Sequence, residues 1–130
     1  MSPVLQAFEE GGWPMYLVLA VDSCFAVVAV VALALAVALR GSTVGKVAAA
    51  GLGACALLPL LIGVGGYTWG MQRVTEAVTY ADPEFREQLM VVGRSEAMNN
   101  LWFGAGSLMC TLPVAAVVLM AAFLGGKQDV

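Results

Sequence analysis

The sequence has no histidine and few charged residues, and both shortages limit what the protein can do. Charged residues make up 12% of its 130 residues, against about 25% in soluble globular domains. Without histidine, and with the acidic residues dispersed, the chain offers no pattern for a haem, a zinc site or a histidine-based nucleophile relay. We therefore expect a protein that is not an enzyme, with no catalytic residue, metal site or cofactor and no nucleic-acid partner.

Cysteine is also scarce, and each cysteine lies within an apolar run. Cys24, Cys55 and Cys110 are expected to behave as small hydrophobic residues and not as disulfide partners. Hydrophobic residues, in contrast, make up 61% of the chain and raise the mean hydropathy to +0.89. Such a composition is typical of a protein embedded in a lipid bilayer.

Three long apolar segments account for most of the chain. They extend over residues 13–39, 47–69 and 101–124, and about 20 residues suffice for a helix to cross a bilayer. The sequence thus predicts an all-α integral membrane protein with three transmembrane helices in a single domain, 1–130, and a connection over residues 70–100. Glu9 and Glu10 lie where a cleaved signal would be basic, so we expect the first helix to be retained as an anchor.

Basic residues near the ends of the spans predict the orientation. Arg40 and Lys46 lie in an acid-free turn after the first span, and Lys127 follows the third, which favours the cytoplasm for these ends. The connection between the second and third spans has three arginines but five acidic residues. We expect this connection and the N-terminus to lie outside and the C-terminus to lie in the cytoplasm.

The connection itself carries a signal for the start of a helix. Asp82 is a favourable N-cap, Pro83 suits the first helical position, and Glu84 is favourable in the first turn. The helix is expected to begin there and to run through Gly93 into the third span. Its charged residues are interpreted as a solvated surface that only connects the two spans.

Two stripes of small or polar residues follow helical spacing. The first lies in the second span and consists of Gly51, Cys55, Pro59, Gly63, Gly66 and Gly70. The second lies in the third span and consists of Asn100, Gly104, Ser107 and Thr111. Small residues let helices approach closely within a membrane, either inside one subunit or between copies. Polar groups in hydrocarbon are costly unless paired, so we expect the second stripe to face protein or water and not lipid.

Asp22 is the one charged residue within the three apolar segments. It shares a helix face with Ala26 and Ala29, which indicates contact with protein. Counted along the helices, it lies level with Thr111, and Ser107 lies one turn away, so one of these hydroxyls is the expected partner. A charge at mid-bilayer costs about 3 kcal/mol on insertion scales, and we expect the acid to be neutral. Asp22 either ties two helices together or provides a protonatable group beside a pore.

Motifs in the second half of the chain resemble the last two membrane helices of the MotA/TolQ/ExbB proton-channel family. They are "ALLPLLIGVGGYTWGM", "ADPEFREQLMVVGRSEAM" and "TLPVA". The residues that keep the family pattern are Pro59, Gly63, Gly66, Gly70 and Met71 in the first motif and Gly93, Glu96, Ala97 and Met98 in the second. The N-terminal "FEEGGWPMYLVLA" is similar to the opening of the ExbB and TolQ branch.

The resemblance implies a ring-forming subunit of the cell inner membrane. In the family, five copies surround two single-span partner helices whose aspartate takes and releases protons, and proton flow drives force on an element outside the membrane. It therefore implies a homo-oligomer, as a pentamer, in a proton-motive-force-driven channel or motor. The alternative is a structural membrane scaffold of the same fold without ion coupling.

The sequence also departs from the family. The residues from Arg40 to Lys46 replace a large cytoplasmic region. Of two threonines that the family keeps near the partner's acid, the first position holds Tyr67, with Thr68 beside it, and the second holds Leu101. Ser107 and Thr111 could supply hydroxyls in their place, and they are included among the candidate residues of the ion pathway.

Overall fold

The structure, a computed structural model, describes residues 12–124 together with residues 2, 3, 5 and 6. Its four long helices, numbered here in chain order, are α1 (Trp13–Ala38), α2 (Thr43–Cys55), α3 (Leu58–Tyr80) and α4 (Arg86–Leu124). In the described part of the chain all regular secondary structure is helical. Glu9, Glu10 and Lys127, on which the expected anchor and part of the expected orientation rest, lie outside the described residues.

Three stretches of helix are long and apolar enough to cross a membrane. They are α1, the combined α2–α3 segment over Thr43–Tyr80, and α4. Valine and leucine side chains remain widely exposed along them, as lipid contact requires; Val27 and Val30, for example, are 67% and 70% exposed. The all-α prediction with three membrane-crossing segments is confirmed, and these segments indicate a multi-pass membrane protein.

A tight turn separates α1 from α2. Gly41 has a φ of 79°, a left-handed conformation that glycine adopts without steric cost. The Ser42 hydroxyl then accepts a hydrogen bond from the backbone N–H of Gly45 at 3.1 Å and caps α2. These two residues let the chain reverse direction over residues 39–42.

The second span is interrupted where the sequence predicted one continuous helix. α2 ends at Cys55 and α3 begins at Leu58, with Pro59 in the first turn of α3. Proline lacks an N–H, and its ring clashes with the carbonyl four residues earlier, so the helix cannot continue unchanged through this point. The predicted glycine stripe is therefore divided by the interruption: within the chain Gly51 and Cys55 are exposed, whereas Pro59 is buried.

The predicted connection over residues 70–100 is mostly helix. α3 continues to Tyr80, α4 starts at Arg86, and a turn joins them, with the N–H of Phe85 donating to the carbonyl of Asp82 at 3.0 Å. The helix thus begins three residues later than the Pro83 start that the sequence predicted. It does run without a break through Gly93 into the third span, as expected.

The resulting helical hairpin is longer than a bilayer is thick. α4 has 39 residues, which corresponds to about 58 Å of helix, whereas the hydrocarbon core of a bilayer measures about 30 Å. The charged residues of this region cluster in the part next to the turn: Arg73, Glu76, Asp82, Glu84, Arg86, Glu87, Arg94 and Glu96. This end of the hairpin therefore projects beyond the apolar part of the bundle.

The helices pack through small side chains. α3 and α4 share the most extensive interface, and α1 contacts each of the other three helices. The core between α1, α2 and α4 is rich in alanine: Ala29, Ala32, Ala36, Ala49, Ala56, Ala115 and Ala122 are all buried there. Alanine methyl groups allow close helix approach in a membrane, where van der Waals contact is a main source of helix association.

Candidate functional site

A carboxylic acid and a hydroxyl meet between α1 and α4. The Ser107 Oγ lies 2.5 Å from Asp22 Oδ1 and 2.7 Å from Asp22 Oδ2. Of the two partners predicted for Asp22, the structure thus has Ser107. Asp22 lies nine positions after Trp13 in α1, which corresponds to about 14 Å along the helix axis and to roughly half of a hydrocarbon core.

The Ser107 hydroxyl bridges the carboxyl group of Asp22. The hydroxyl has one hydrogen and can donate it to only one carboxyl oxygen at a time. It therefore bonds to one oxygen and lies close to the other, and the contact holds α1 against α4.

Asp22 also borders an open groove between α1 and α4. The groove has a volume of about 510 Å³. Its walls are mostly apolar, and among the residues that line it are Ala26, Val30, Val114 and Val117. Asp22 and Thr111 are its polar members. A lipid chain, a helix or a small ion in this groove could reach the carboxyl group.

Thr111 has a different partner from the one proposed on sequence grounds. Its side chain is 5% exposed, and its Oγ1 donates to the backbone carbonyl of Ala56 at 3.0 Å. Ala56 lies at the interruption between α2 and α3, where a carbonyl lacks a full set of helical partners. Sequence reasoning missed this contact, although Pro59 was a usable signal that the helix would break nearby.

Glycines of α3 and α4 form a seam in which the two backbones touch. A Cβ added to Gly63 would lie 2.7 Å from the carbonyl oxygen of Asn100 and 3.0 Å from the Cα of Gly104. A Cβ added to Gly104 would lie 2.6 Å from the carbonyl oxygen of Pro59. Larger residues cannot fit at either position without moving a helix.

The seam continues toward the hairpin turn. A Cβ on Gly66 would lie 2.9 Å from the Cβ of Pro14 and 3.1 Å from the Cβ of Asn100, so three helices meet there. A Cβ on Gly70 would lie 3.0 Å from the Cβ of Ala97. Gly93 lies against the side chain of Val74. The glycine stripe from residue 63 onward thus packs within one chain.

Asn100 and Ser107 belong to one predicted polar stripe, but the structure describes no hydrogen bond between their side chains. Asn100 is 5% exposed, and its Oδ1 is buried without a hydrogen-bond partner among the described residues. Between the two residues lies Gly104, which is packed against the α3 backbone. The seam therefore separates Asn100 from the Asp22 and Ser107 pair.

Tyr67 and Thr68 lie away from Asp22. Both line a shallow cavity of about 660 Å³ on α3, together with Gln72, Thr75 and Thr79. The hydroxyl of Thr68 donates to the carbonyl of Val64 at 2.9 Å, within its own helix. The remaining motif residue, Glu96, is exposed on α4.

Aromatic residues mark one end of the apolar region, a feature that the sequence reasoning did not use. The rings of Trp13 and Trp69 meet edge to face with their centroids 5.8 Å apart, and the Arg73 guanidinium lies 5.1 Å from the Trp69 ring. At the other end, the Lys46 ammonium lies 5.6 Å from the ring of Phe123. Tryptophan and basic side chains commonly occupy membrane interfaces, so these two levels bracket the spanning region.

The three cysteines are free, as the sequence predicted, and they lie exposed on the bundle surface: Cys24, Cys55 and Cys110. Within the described residues no group of three or more His, Cys, Asp or Glu side chains could hold a metal ion. Comparison of the chain with protein-family models, with curated proteins and with solved structures gives no match.

Proposed function

We propose that this chain is a three-span subunit of an inner-membrane complex driven by the proton-motive force. In this proposal, copies of the chain surround single-span partner helices that carry an acidic residue. The observation that carries the proposal is the Asp22 carboxyl group, which lies within a membrane-crossing helix, bonds to Ser107 and borders an open groove. Ionisable groups at such depth are costly and commonly belong to ion pathways or proton relays.

The form of the bundle and the sequence motifs support the same proposal. The projecting hairpin of α3 and α4 provides a charged end that could contact a partner beyond the membrane. The sequence motifs around Pro59 and Gly93 resemble those of proton-channel subunits. The proposed topology has the hairpin turn and the N-terminus outside and the turn between Arg40 and Lys46 in the cytoplasm.

A second candidate function is a structural scaffold without ion coupling. Two observations favour it: Asp22 already has a partner within the chain, and the glycine seam is already filled by contacts of the same chain. In a scaffold, Asp22 would only tie α1 to α4. The two candidates therefore differ in whether the proton of Asp22 is exchanged during activity.

The Asp22→Asn variant separates the two candidates, since asparagine keeps the shape and a donor but cannot titrate. The complex should first be purified from native membranes and its chains identified and counted by native mass spectrometry. The proton-driven proposal expects several copies with a single-span partner that has an acidic residue in its span. It also expects Asp22→Asn to assemble and to abolish proton uptake into liposomes that contain the complex. Absence of proton uptake by the native complex would support the scaffold, and native uptake that Asp22→Asn leaves unchanged would remove Asp22 from the proton path.

A further inference from the structure

The projecting end of the hairpin exposes a patch of apolar side chains, here called the hairpin patch. It consists of Phe85 in the turn and of Leu89 and Val92 on α4, all of them exposed. Their spacing of four and three residues places them on one helix face. The three side chains line a cavity of about 400 Å³, together with residues 81, 82 and 88. Because this end projects beyond the apolar part of the bundle, the patch would face water unless something covers it.

The hairpin patch continues the face of α4 that α1 covers deeper in the bundle. On that face Ser107 bonds to Asp22 of α1. Counting back from Ser107 at helical spacing leads to Phe103, to Glu96 and then to the three residues of the patch. A segment that extended α1 along α4 would therefore lie over the patch.

The described part of α1 ends before it reaches the patch. A Cβ on Gly66 would lie 2.9 Å from the Cβ of Pro14 and 3.1 Å from the Cβ of Asn100, so α1 begins level with Asn100. The part of α4 from Arg86 to Asn100, about 21 Å of helix, extends beyond this level. The residues that precede Trp13 start where this uncovered part of α4 starts.

These preceding residues have the pattern of a short amphipathic helix. Its apolar residues recur at helical spacing: Met1, Val4, Leu5 and Phe8. The structure describes residues 2, 3, 5 and 6 of this segment. The Ser2 hydroxyl accepts a hydrogen bond from the N–H of Leu5 at 3.3 Å, and the Ser2 carbonyl accepts one from the N–H of Gln6 at 3.2 Å. Ser2 thus caps a helical turn, and the side chain of Leu5 on that turn is exposed.

The length of the segment matches the distance that it has to cover. Gly12 has a φ of 68°, a left-handed conformation that ends α1 and allows a change of direction. As a helix, residues 1–11 would be about 16 Å long, which equals the length of α4 from Leu89 to Asn100. The segment can therefore reach the hairpin patch without any change in α1.

The charges of the segment favour the hairpin over the lipid surface. Residues 1–12 include Glu9 and Glu10 but no lysine or arginine, whereas helices that lie on membrane surfaces are rich in basic residues. A basic group is available beside the start of α1. The Arg73 guanidinium lies 5.1 Å from the ring of Trp69, and this ring contacts that of Trp13. Glu9 and Glu10 precede Trp13 by four and three positions.

We propose that residues 1–8 form an amphipathic helix that packs on the hairpin patch of the same chain. Val4 and Leu5 contact Leu89 and Val92, and Phe8 packs closer to the membrane. Glu9 or Glu10 pairs with Arg73. The segment thereby extends the interface between α1 and α4 beyond the membrane. This interaction goes beyond the proposed function and does not depend on whether a complex conducts ions.

Cross-linking tests which surface the segment contacts. In the full chain, with its native cysteines replaced by alanine, Leu5→Cys is combined with Val92→Cys. Mild oxidation of the purified protein in detergent should join the two cysteines in most chains, as read by peptide mass. Leu5→Cys with Val91→Cys is the matched control, because Val91 is also exposed but lies about 100° further around the helix. This second pair should stay largely reduced.

Two further experiments identify the occupant of the patch. Leu89→Asp should abolish the cross-link between residues 5 and 92, whereas Val91→Asp should leave its yield unchanged. Chains that have only Leu5→Cys are also mixed with chains that have only Val92→Cys, and no cross-linked dimer is expected.

Three results would overturn the proposal. A dimer in the mixing experiment would show that a second copy covers the patch. Equal cross-linking of residue 5 to residues 91 and 92 would show that the segment has no preferred face. Absence of cross-linking in both pairs would show that the segment lies elsewhere, as on a lipid or detergent surface. Because proton uptake is not measured here, each of these results would leave the proposed function standing.

Discussion

At the scale of single residues, the contact between Asp22 and Ser107 determines how α1 is held against α4. The two side chains lie 85 positions apart in sequence and are partly buried. In Ser107→Ala the carboxyl group would lose its only hydrogen-bond donor that the structure describes at this site. Leaving a buried polar group without a partner costs about 1–3 kcal/mol, so we expect Ser107→Ala to lower the stability of the folded protein by that amount.

The measurement is a denaturant titration in detergent micelles, followed by circular dichroism. Ser23→Ala removes an equivalent hydroxyl whose hydrogen bond at 2.9 Å stays within its own helix, and its stability should remain within about 0.5 kcal/mol of the native value. Equal stability of the two variants would show that the Asp22 and Ser107 contact does not stabilise the fold.

At the scale of helices, the seam between α3 and α4 depends on glycine at two of the positions where the backbones meet. A Cβ on Gly63 would meet backbone atoms at 2.7 and 3.0 Å, whereas one on Gly65 would meet nothing within 4 Å. Gly63→Ala should therefore push the helices apart and lower stability by about 1–3 kcal/mol. Gly65→Ala, on the same helix, should be neutral or slightly stabilising, because alanine favours helix more than glycine does.

The same denaturant titration compares the two alanine variants. A second matched pair on α4 extends the test, since Gly104 faces the seam and a Cβ on Gly106 would meet nothing within 4 Å. If Gly63→Ala and Gly104→Ala were as stable as Gly65→Ala and Gly106→Ala, the close approach of the backbones would be ruled out.

The helices also show how much of the fold and of the candidate site could be predicted from the sequence. Hydropathy predicted three membrane-crossing segments, and helical counting brought Asp22 to within one turn of Ser107, because both depend on local periodicity. The interruption at Ala56 was missed, although Pro59 had been noted. A break near Pro59 changes the direction of the glycine stripe, and that change depends on how α2 and α3 are oriented in the fold. The bond between Thr111 and Ala56 was also missed, since a backbone carbonyl freed by such a break leaves no signal in side-chain spacing.

At the scale of the whole molecule, the proposed topology places the two turns on opposite sides of the membrane. We expect a cysteine at Glu84, in the hairpin turn, to react with an impermeant thiol reagent in intact cells. A cysteine at Thr43, beside the other turn, should react only after the membrane is made permeable. Both residues are exposed, so accessibility within the fold does not differ between them.

The labelling needs a background without native thiols, in which Cys24, Cys55 and Cys110 are replaced by alanine. All three are exposed on the bundle surface, and their removal should leave the packing intact. Labelling at Thr43→Cys but not at Glu84→Cys in intact cells would reverse the topology.

The interlocked backbones of Gly63 and Gly104 also constrain how the molecule can move. Because α3 and α4 share the most extensive interface and their backbones are in contact at these glycines, we expect them to move as one rigid body. α1 packs on α4 in the core that contains Phe25, Val118 and the buried alanines and makes one hydrogen bond to it, and we expect the interruption after Ala56 to act as a hinge. We expect motion in the bilayer to be a rocking of α1 and α2 against the α3–α4 pair. Spin labels at Gly65 and Gly106 should give a narrow distance distribution, and labels at Val27 and Gly106 a broader one that narrows when the contact between Asp22 and Ser107 is made.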